Sequence, residues 1–224
     1  MRHIVLDTET TGLSFQSGHR IVEIGCVELW NYLPTGKTFH TYINPGRLMD
    51  AGATRVSGIT DGMLLDKPPF EKIAGLFLEF IQNDPLVIHN APFDMGFLNG
   101  ELNLLRRASL DASRAIDTVV MARRIFPGSP ANLDALCRRF EIDLSARTKH
   151  GALLDAQLLA EVYLHLSGGR QLDLDMTTQT LVQGVTPVHK KYRTPREFSL
   201  SKEDVQKHED FINTIKNSLW KQSC

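Results

Sequence analysis

Asp7-Thr8-Glu9-Thr10-Thr11-Gly12 closes the first apolar run of the chain, Ile4-Val5-Leu6, and places two carboxylates two residues apart. In a strand, residues i and i+2 share a face, so Asp7 and Glu9 point the same way and repel each other. Carboxylates at the end of a central strand are costly to bury unpaired, and a divalent cation removes that cost. Two more acids stand at comparable places. Asp94 follows His89-Asn90-Ala91-Pro92-Phe93 at the start of a helix, directly after the apolar Leu86-Val87-Ile88. Asp155 lies in the opening turns of another helix, five residues after His150 in His150-Gly151-Ala152-Leu153-Leu154-Asp155. Taken singly, each has a plain structural reading: a solvated strand end, helix N-terminal acids favoured by the macrodipole, a structural His89.

Elements that could bring these groups together are legible along the first 170 residues. Strands are expected over His3–Leu6, Arg20–Leu29 and Lys37–Ile43, with Asn31 and Pro34-Thr35-Gly36 as a hairpin connection between the last two. Phe70, Ile73, Ala74, Phe77 and Ile81 repeat at three and four, which predicts a helix entered through Pro68-Pro69 and ended at Asn83-Asp84-Pro85. The strand Leu86–Ile88 follows, then a helix from Phe93 to about Arg107. Beyond it come a strand at Ala115-Ile116, a helix up to Pro127-Gly128, one from Leu133 to Phe140, and one from Gly151 to Leu166. Three sequential strands followed by alternating helices and strands imply an α/β domain around a mixed sheet. No internal repeats are present.

Together the three blocks resemble a known pattern. Four acids, Asp7, Glu9, Asp94 and Asp155, with His150 five residues before the last, are similar to the DEDDh exonucleases, which share the ribonuclease H-like fold with a mixed five-stranded central sheet flanked by helices. Within them, Leu64-Leu65-Asp66-Lys67-Pro68, Asn132-Leu133-Asp134-Ala135-Leu136-Cys137 and Asp155 to Tyr163 most resemble the proofreading epsilon subunits of bacterial DNA polymerase III. The resemblance runs from about residue 2 to 170. It implies 3′→5′ hydrolysis of phosphodiesters at a DNA 3′ end, assisted by two divalent ions, Mg²⁺ or Mn²⁺. Hard carboxylate oxygens suit such ions, and a metal pair stabilises charge on the attacked and departing oxygens.

The family roles carried onto this chain make Asp7 a bridge between the ions. Glu9, Asp94 and Asp155 complete the coordination, and His150 acts as general base from a loop beside Arg147, Thr148 and Lys149. Thr10 and Thr11 would contact the terminal sugar, Leu13 and Phe93 would pack on the terminal bases, and His89 with Asn90 would brace the site. The chain departs from the family at two contact positions. Ser57-Gly58-Ile59 stands where epsilon relatives often read His-Gly-Ile, and Gly52 stands where some carry an acid.

Composition bounds the partners. With 25 Lys+Arg against 26 Asp+Glu and a net charge of −1, the chain lacks the excess of cations that holds duplex DNA nonspecifically. Cys26, Cys137 and Cys224 are odd in number and far apart, as expected of reduced cysteines in a cytoplasmic protein. No signal peptide and no run of about 20 apolar residues is expected.

Three regions are expected: a DEDDh exonuclease domain over 1–169, a flexible polar linker over 170–198, and a C-terminal segment over 199–224. Gln171-Leu172-Asp173-Leu174-Asp175-Met176 resembles the sliding-clamp peptide of epsilon subunits. Ser201 is placed to N-cap a helix running towards Trp220, with Val205, Phe211, Ile212, Ile215 and Leu219 largely on one stripe. The resemblance makes that segment the attachment to the polymerase alpha subunit. A ribonuclease trimming RNA 3′ ends would carry the same five residues but has no need of such a tail. A noncatalytic scaffold could lose any of the five without penalty, and all are present.

Overall fold

The first apolar run builds the middle of the sheet, β1 (Arg2–Thr10). The structure is a computed structural model and describes residues 1–145, 147, 149–168 and 200–215. β2 (Ile21–Trp30) pairs antiparallel with β1, and β3 (Leu33–Tyr42) pairs antiparallel with β2. On the other side of β1 lie β4 (Leu86–Ile88) and then β5 (Ala115–Asp117), both parallel. The order β3-β2-β1-β4-β5 is the mixed five-stranded sheet expected.

Helices cover both faces, as a sheet buried on both sides requires. α1 (Ala51–Ser57), α2 (Asp61–Leu64) and α3 (Phe70–Ile81) precede β4. α4 (Ala91–Leu104) joins β4 to β5, and α5 (Thr118–Ile125), α6 (Leu133–Arg139) and α7 (Ala152–Leu166) follow. Alternate residues of β1 feed the two cores. Ile4 and Leu6 join Phe77, Ile81, Phe97 and Leu98 of α3 and α4, whereas Val5 joins Leu136, Leu159 and Val162 of α6 and α7.

The structure corrects four expectations. The hairpin turns at Asn31 and Tyr32, both at positive φ (51° and 68°), and Pro34-Thr35-Gly36 lie within β3. β1 runs on to Thr10, so Asp7 and Glu9 sit inside the strand rather than at its end. α4 starts at Ala91, with Pro92 in its first turn where the missing N–H costs nothing. α1 and α2 were not anticipated, because seven and four residues are too short to show an apolar period.

By internal contacts the chain divides into two units, residues 1–174 and 175–224. The second contains α8 (Lys202–Thr214), capped as expected by Ser201, whose side chain accepts from the Asp204 N–H. Val205 and Phe211 are exposed on it, as is Ile215 directly after its end. The expected linker, the Gln171–Met176 peptide and the end of the terminal segment at 216–224 lie outside the described residues. Cys26 and Cys137 are free and buried, and among the described residues no helix is long and apolar enough to cross a membrane.

Candidate active site

β1 carries Asp7 and Glu9 on the face that Val5 turns towards α7, and α7 on that side and α4 on the other deliver Asp155 and Asp94 in their first turns. Asp94 is buried, and Thr8 fixes it twice: its N–H donates to Asp94 Oδ1 at 3.0 Å and its hydroxyl at 2.6 Å. Asp155 is equally buried and receives two bonds from Arg147, from Nε at 2.6 Å and from the terminal nitrogen at 2.7 Å. The same Arg147 nitrogen lies 2.9 Å from His150 Nδ1, and Arg147 also pairs with Asp134. His150 Nδ1 is 3.2 Å from Asp155 Oδ2, and Glu9, His150 and Asp155 each offer a ligand atom within 4.8 Å of the others. The structure thus brings all five residues of the sequence pattern to one end of the sheet.

Crowding has an electrostatic signature. Burial, with the charges of Asp94, Glu9 and Asp155 adding to it, pushes the Asp7 acid well above the usual carboxylate range. Burial raises Glu9 to about 8, reinforced by Asp155, Glu23 and Asp94. Burial likewise raises Asp94 to about 7, against the opposing bonds from Thr8. Acids that resist ionisation until a cation arrives are the hard oxygen donors that a divalent ion selects, so the residues fit one.

Two hollows flank the cluster. One, of about 440 Å³, is lined by Thr8, Glu9, Thr10, Leu13, Gly52 and Phe93, with Asp50, Ala53 and Val56 completing its α1 wall. The other, of about 360 Å³, is lined by Asp7, His89, Asp134, Arg147, His150 and Asp155. His89 Nδ1 lies 2.9 Å from the Thr118 hydroxyl, which is also 3.2 Å from Ile88 O. Burial lowers the His89 pKa.

The expected substrate contacts separate into those in the first hollow and those outside it. Thr10, Leu13, Gly52 and Phe93 line it, and a Cβ at Gly52 would meet open space, so the acid of some relatives would fit there. Thr11 does not line it: its side chain is fully buried, and its hydroxyl accepts from the Arg20 N–H at 3.0 Å. Ser57 turns inward, donating to Ala53 O and accepting from the Ile59 N–H, because its place at the end of α1 puts the hydroxyl against that helix's own backbone. Asn90 is exposed at φ 69° and its N–H is held by Asp117, which suits a turn residue before α4 better than a contact.

Sequence reasoning missed Thr8, Asp134 and the bonds of Arg147, which carry no signature of their own. It also missed Glu23, for which there was a signal: a lone acid inside the apolar run Ile21-Val22-Glu23-Ile24.

The comparisons agree with this geometry. The family model described as Exonuclease matches residues 4–163. Two solved structures share the fold: Exonuclease X in complex with 5′ overhanging duplex DNA, and the nuclease domain of 3′hExo, a DEDDh family member, bound to rAMP. The first is 24% identical with a TM-score of 0.60, covering 74% of this chain and 91% of that one. The second is 18% identical with a TM-score of 0.64, covering 75% and 92%. The fold is therefore that of the ribonuclease H-like exonucleases, an enzyme class that uses divalent metals.

Among curated proteins, the DNA polymerase III subunit epsilon of Rickettsia felis is 51% identical over 222 residues, covering 96% of this chain and 97% of its own. That of Escherichia coli is 51% identical over 176 residues, covering 75% and 72%. The chain belongs to the exonuclease family, as an epsilon subunit of DNA polymerase III.

Proposed function

We propose that the chain removes nucleotides from the 3′ end of single-stranded or frayed DNA and serves as the proofreading subunit of the replicative polymerase. The observation that carries this reading is the junction of an acidic cluster with an adjoining hollow, because Glu9 belongs to both. A strand end lying along Leu13 and Phe93 would present its last phosphodiester to the acids. Apolar and aromatic walls hold any base, as a proofreader requires.

Asp7, Glu9, Asp94 and Asp155 would hold two divalent ions, Mg²⁺ or Mn²⁺, which supply charge neutralisation at the attacked phosphate and the leaving oxygen. His150 takes the proton of the attacking water, and its exposed position leaves it free to approach a bound strand end. His89, beside the Thr118 hydroxyl, stands in the wall of the second hollow and braces the site there.

The relatives are subunits of a DNA polymerase, which makes a polymerase the expected partner. Residues 199–224 would dock on the polymerase alpha subunit through the apolar stripe of α8, Gln171 to Met176 would engage a sliding clamp, and 170–198 would link them to the exonuclease domain over 1–169. A cytoplasmic location accords with this work.

The direct test is hydrolysis of 3′-labelled single-stranded DNA and of RNA of the same sequence, with Mg²⁺ and with chelator. Release of mononucleotides from the DNA 3′ end, faster than from RNA and abolished by chelator, is expected. Faster RNA trimming would replace the reading with that of a ribonuclease. Removing residues 198–224 should abolish co-purification with the alpha subunit and leave hydrolysis intact. Retained association would refute the docking role of the tail.

A further inference from the structure

Glu23 is a buried acid that the proposed chemistry does not use. It lies near the start of β2, 2% exposed, directly opposite Glu9 in the strand register. Both of its oxygens are engaged. Oε1 is 2.7 Å from His40 Nε2 on β3, and Oε2 accepts from the Ala152 N–H at 3.1 Å. Ala152 is the first residue of α7, three before Asp155 and two after His150. The first amides of a helix have no partner inside it and need one from a side chain. Gly151, at the capping position, has no side chain to offer, and no local cap bond is made there. The cap therefore comes from across the sheet.

A second feature shows how closely the helix end is seated. A Cβ added at Gly25, two residues along β2, would lie 2.3 Å from the Ala152 carbonyl carbon. Backbone rests on backbone at that point, with no side chain to cushion a shift.

We infer that Glu23, braced by His40, is a positioning residue for hydrolysis: it clamps the N-terminus of α7 to the sheet and so sets where Asp155 and His150 stand relative to Asp7 and Glu9. The inference rests on the catalytic reading of the acidic cluster. Its leverage comes from distance sensitivity, since a displacement of about 1 Å in a reacting group can cost about 10²-fold in rate. A carboxylate is suited to this place because a charged acceptor at a helix N-terminus binds more strongly than a neutral one. His40 keeps that acceptor aimed, being only partly exposed beside it.

The test uses the full chain with three substitutions. Glu23→Ala should lower kcat by about 10–100-fold, the range for partners that orient site ligands. Its KM for a short single-stranded DNA should stay within about twofold, since the hollow that takes the bases is untouched. Hydrogen exchange at the Ala152 amide should quicken in the same variant. Glu23→Gln keeps an oxygen for that amide and should restore both protection and most of kcat. His40→Ala should give a smaller loss in kcat and serves as the decisive variant should Glu23→Ala not fold.

Wild-type kcat in Glu23→Ala or, where that variant does not fold, in His40→Ala overturns the inference. So do equal losses in the Ala and Gln variants with the Ala152 amide protected in both, which would assign the effect to charge. A wild-type chain that fails to cut DNA, with exchange still quickened by Glu23→Ala, would instead refute the catalytic reading.

Discussion

The acids and the histidine of the site are held in opposite ways. Asp7 and Glu9 belong to the central strand of the sheet, and Asp94 and Asp155 are buried in first turns of helices packed against it. His150 stands outside α7 with its side chain 46% exposed, on a segment whose described residues are held by Arg147, by Lys149 and by the His150 N–H. Two of these run to α1, where Arg55 O accepts from Lys149 Nζ at 2.9 Å and Val56 O from the His150 N–H at 3.3 Å. Groups that bind ions gain from rigidity, because preorganisation spares the cost of gathering like charges at each turnover. A group that moves a proton gains from freedom to meet its water.

The largest effect that would sharpen this contrast is loss of a strand-borne acid. Asp7→Ala should abolish hydrolysis while the thermal midpoint in chelator rises, because deleting one of several crowded carboxylates relieves repulsion. Activity near wild type would break the contrast at its rigid end.

His150→Ala comes next, with an expected rate loss of about 10²–10⁴-fold. The midpoint and the anisotropy-measured affinity for single-stranded DNA should barely change, as befits an exposed residue. A variant that loses DNA affinity in proportion to rate would place His150 in binding rather than proton transfer.

A third effect is read from pH. Glu9 at about 8 and Asp94 at about 7 are raised above their unfolded values, so the folded chain binds more protons than the unfolded one across that interval. Their stabilisation is complete at acid pH, below the unfolded carboxylate values, and is lost as pH rises through about 7 and 8. In chelator the midpoint should therefore fall between pH 5 and pH 9, and added Mg²⁺ should raise it more at the alkaline end. A midpoint rising over the same range in chelator would contradict the crowding.

Smallest is Leu13→Ala. Leu13 is 87% exposed at the rim of the hollow, so the change should leave stability and kcat alone. KM should rise by the equivalent of about 1 kcal/mol, roughly what one buried methylene group contributes. A fall in kcat instead would mean that the rim aligns the scissile bond.

The acids and His150 alike were legible in the sequence. Ile4-Val5-Leu6 announced a buried strand, Pro68-Pro69 and Asn83-Asp84-Pro85 bracketed α3, and the acids followed strand or helix signals that survive in a single chain. The helix at 202–214 was likewise visible from Ser201 and its stripe. What stayed hidden depends on tertiary contact. α1 is too short to show a period, Tyr32 at positive φ runs against its own propensity and moved the hairpin, and Arg147 needs the fold before it can reach Asp155. Ser57 and Thr11 show the same thing from the other side: their types suit substrate contact, but neighbouring backbone groups claim their hydroxyls.

The tie between α1 and the histidine loop has a consequence for how such an enzyme can change. One face of α1, through Gly52, Ala53 and Val56, shapes what the hollow accepts, and its last carbonyls hold the loop. On the proposed reading, substrate choice and turnover would both depend on these seven residues. Drift in 51–57 cannot retune one without disturbing the other, so a lineage that alters its preferred strand end must also repair its speed, and libraries built there should trade the two along a single line.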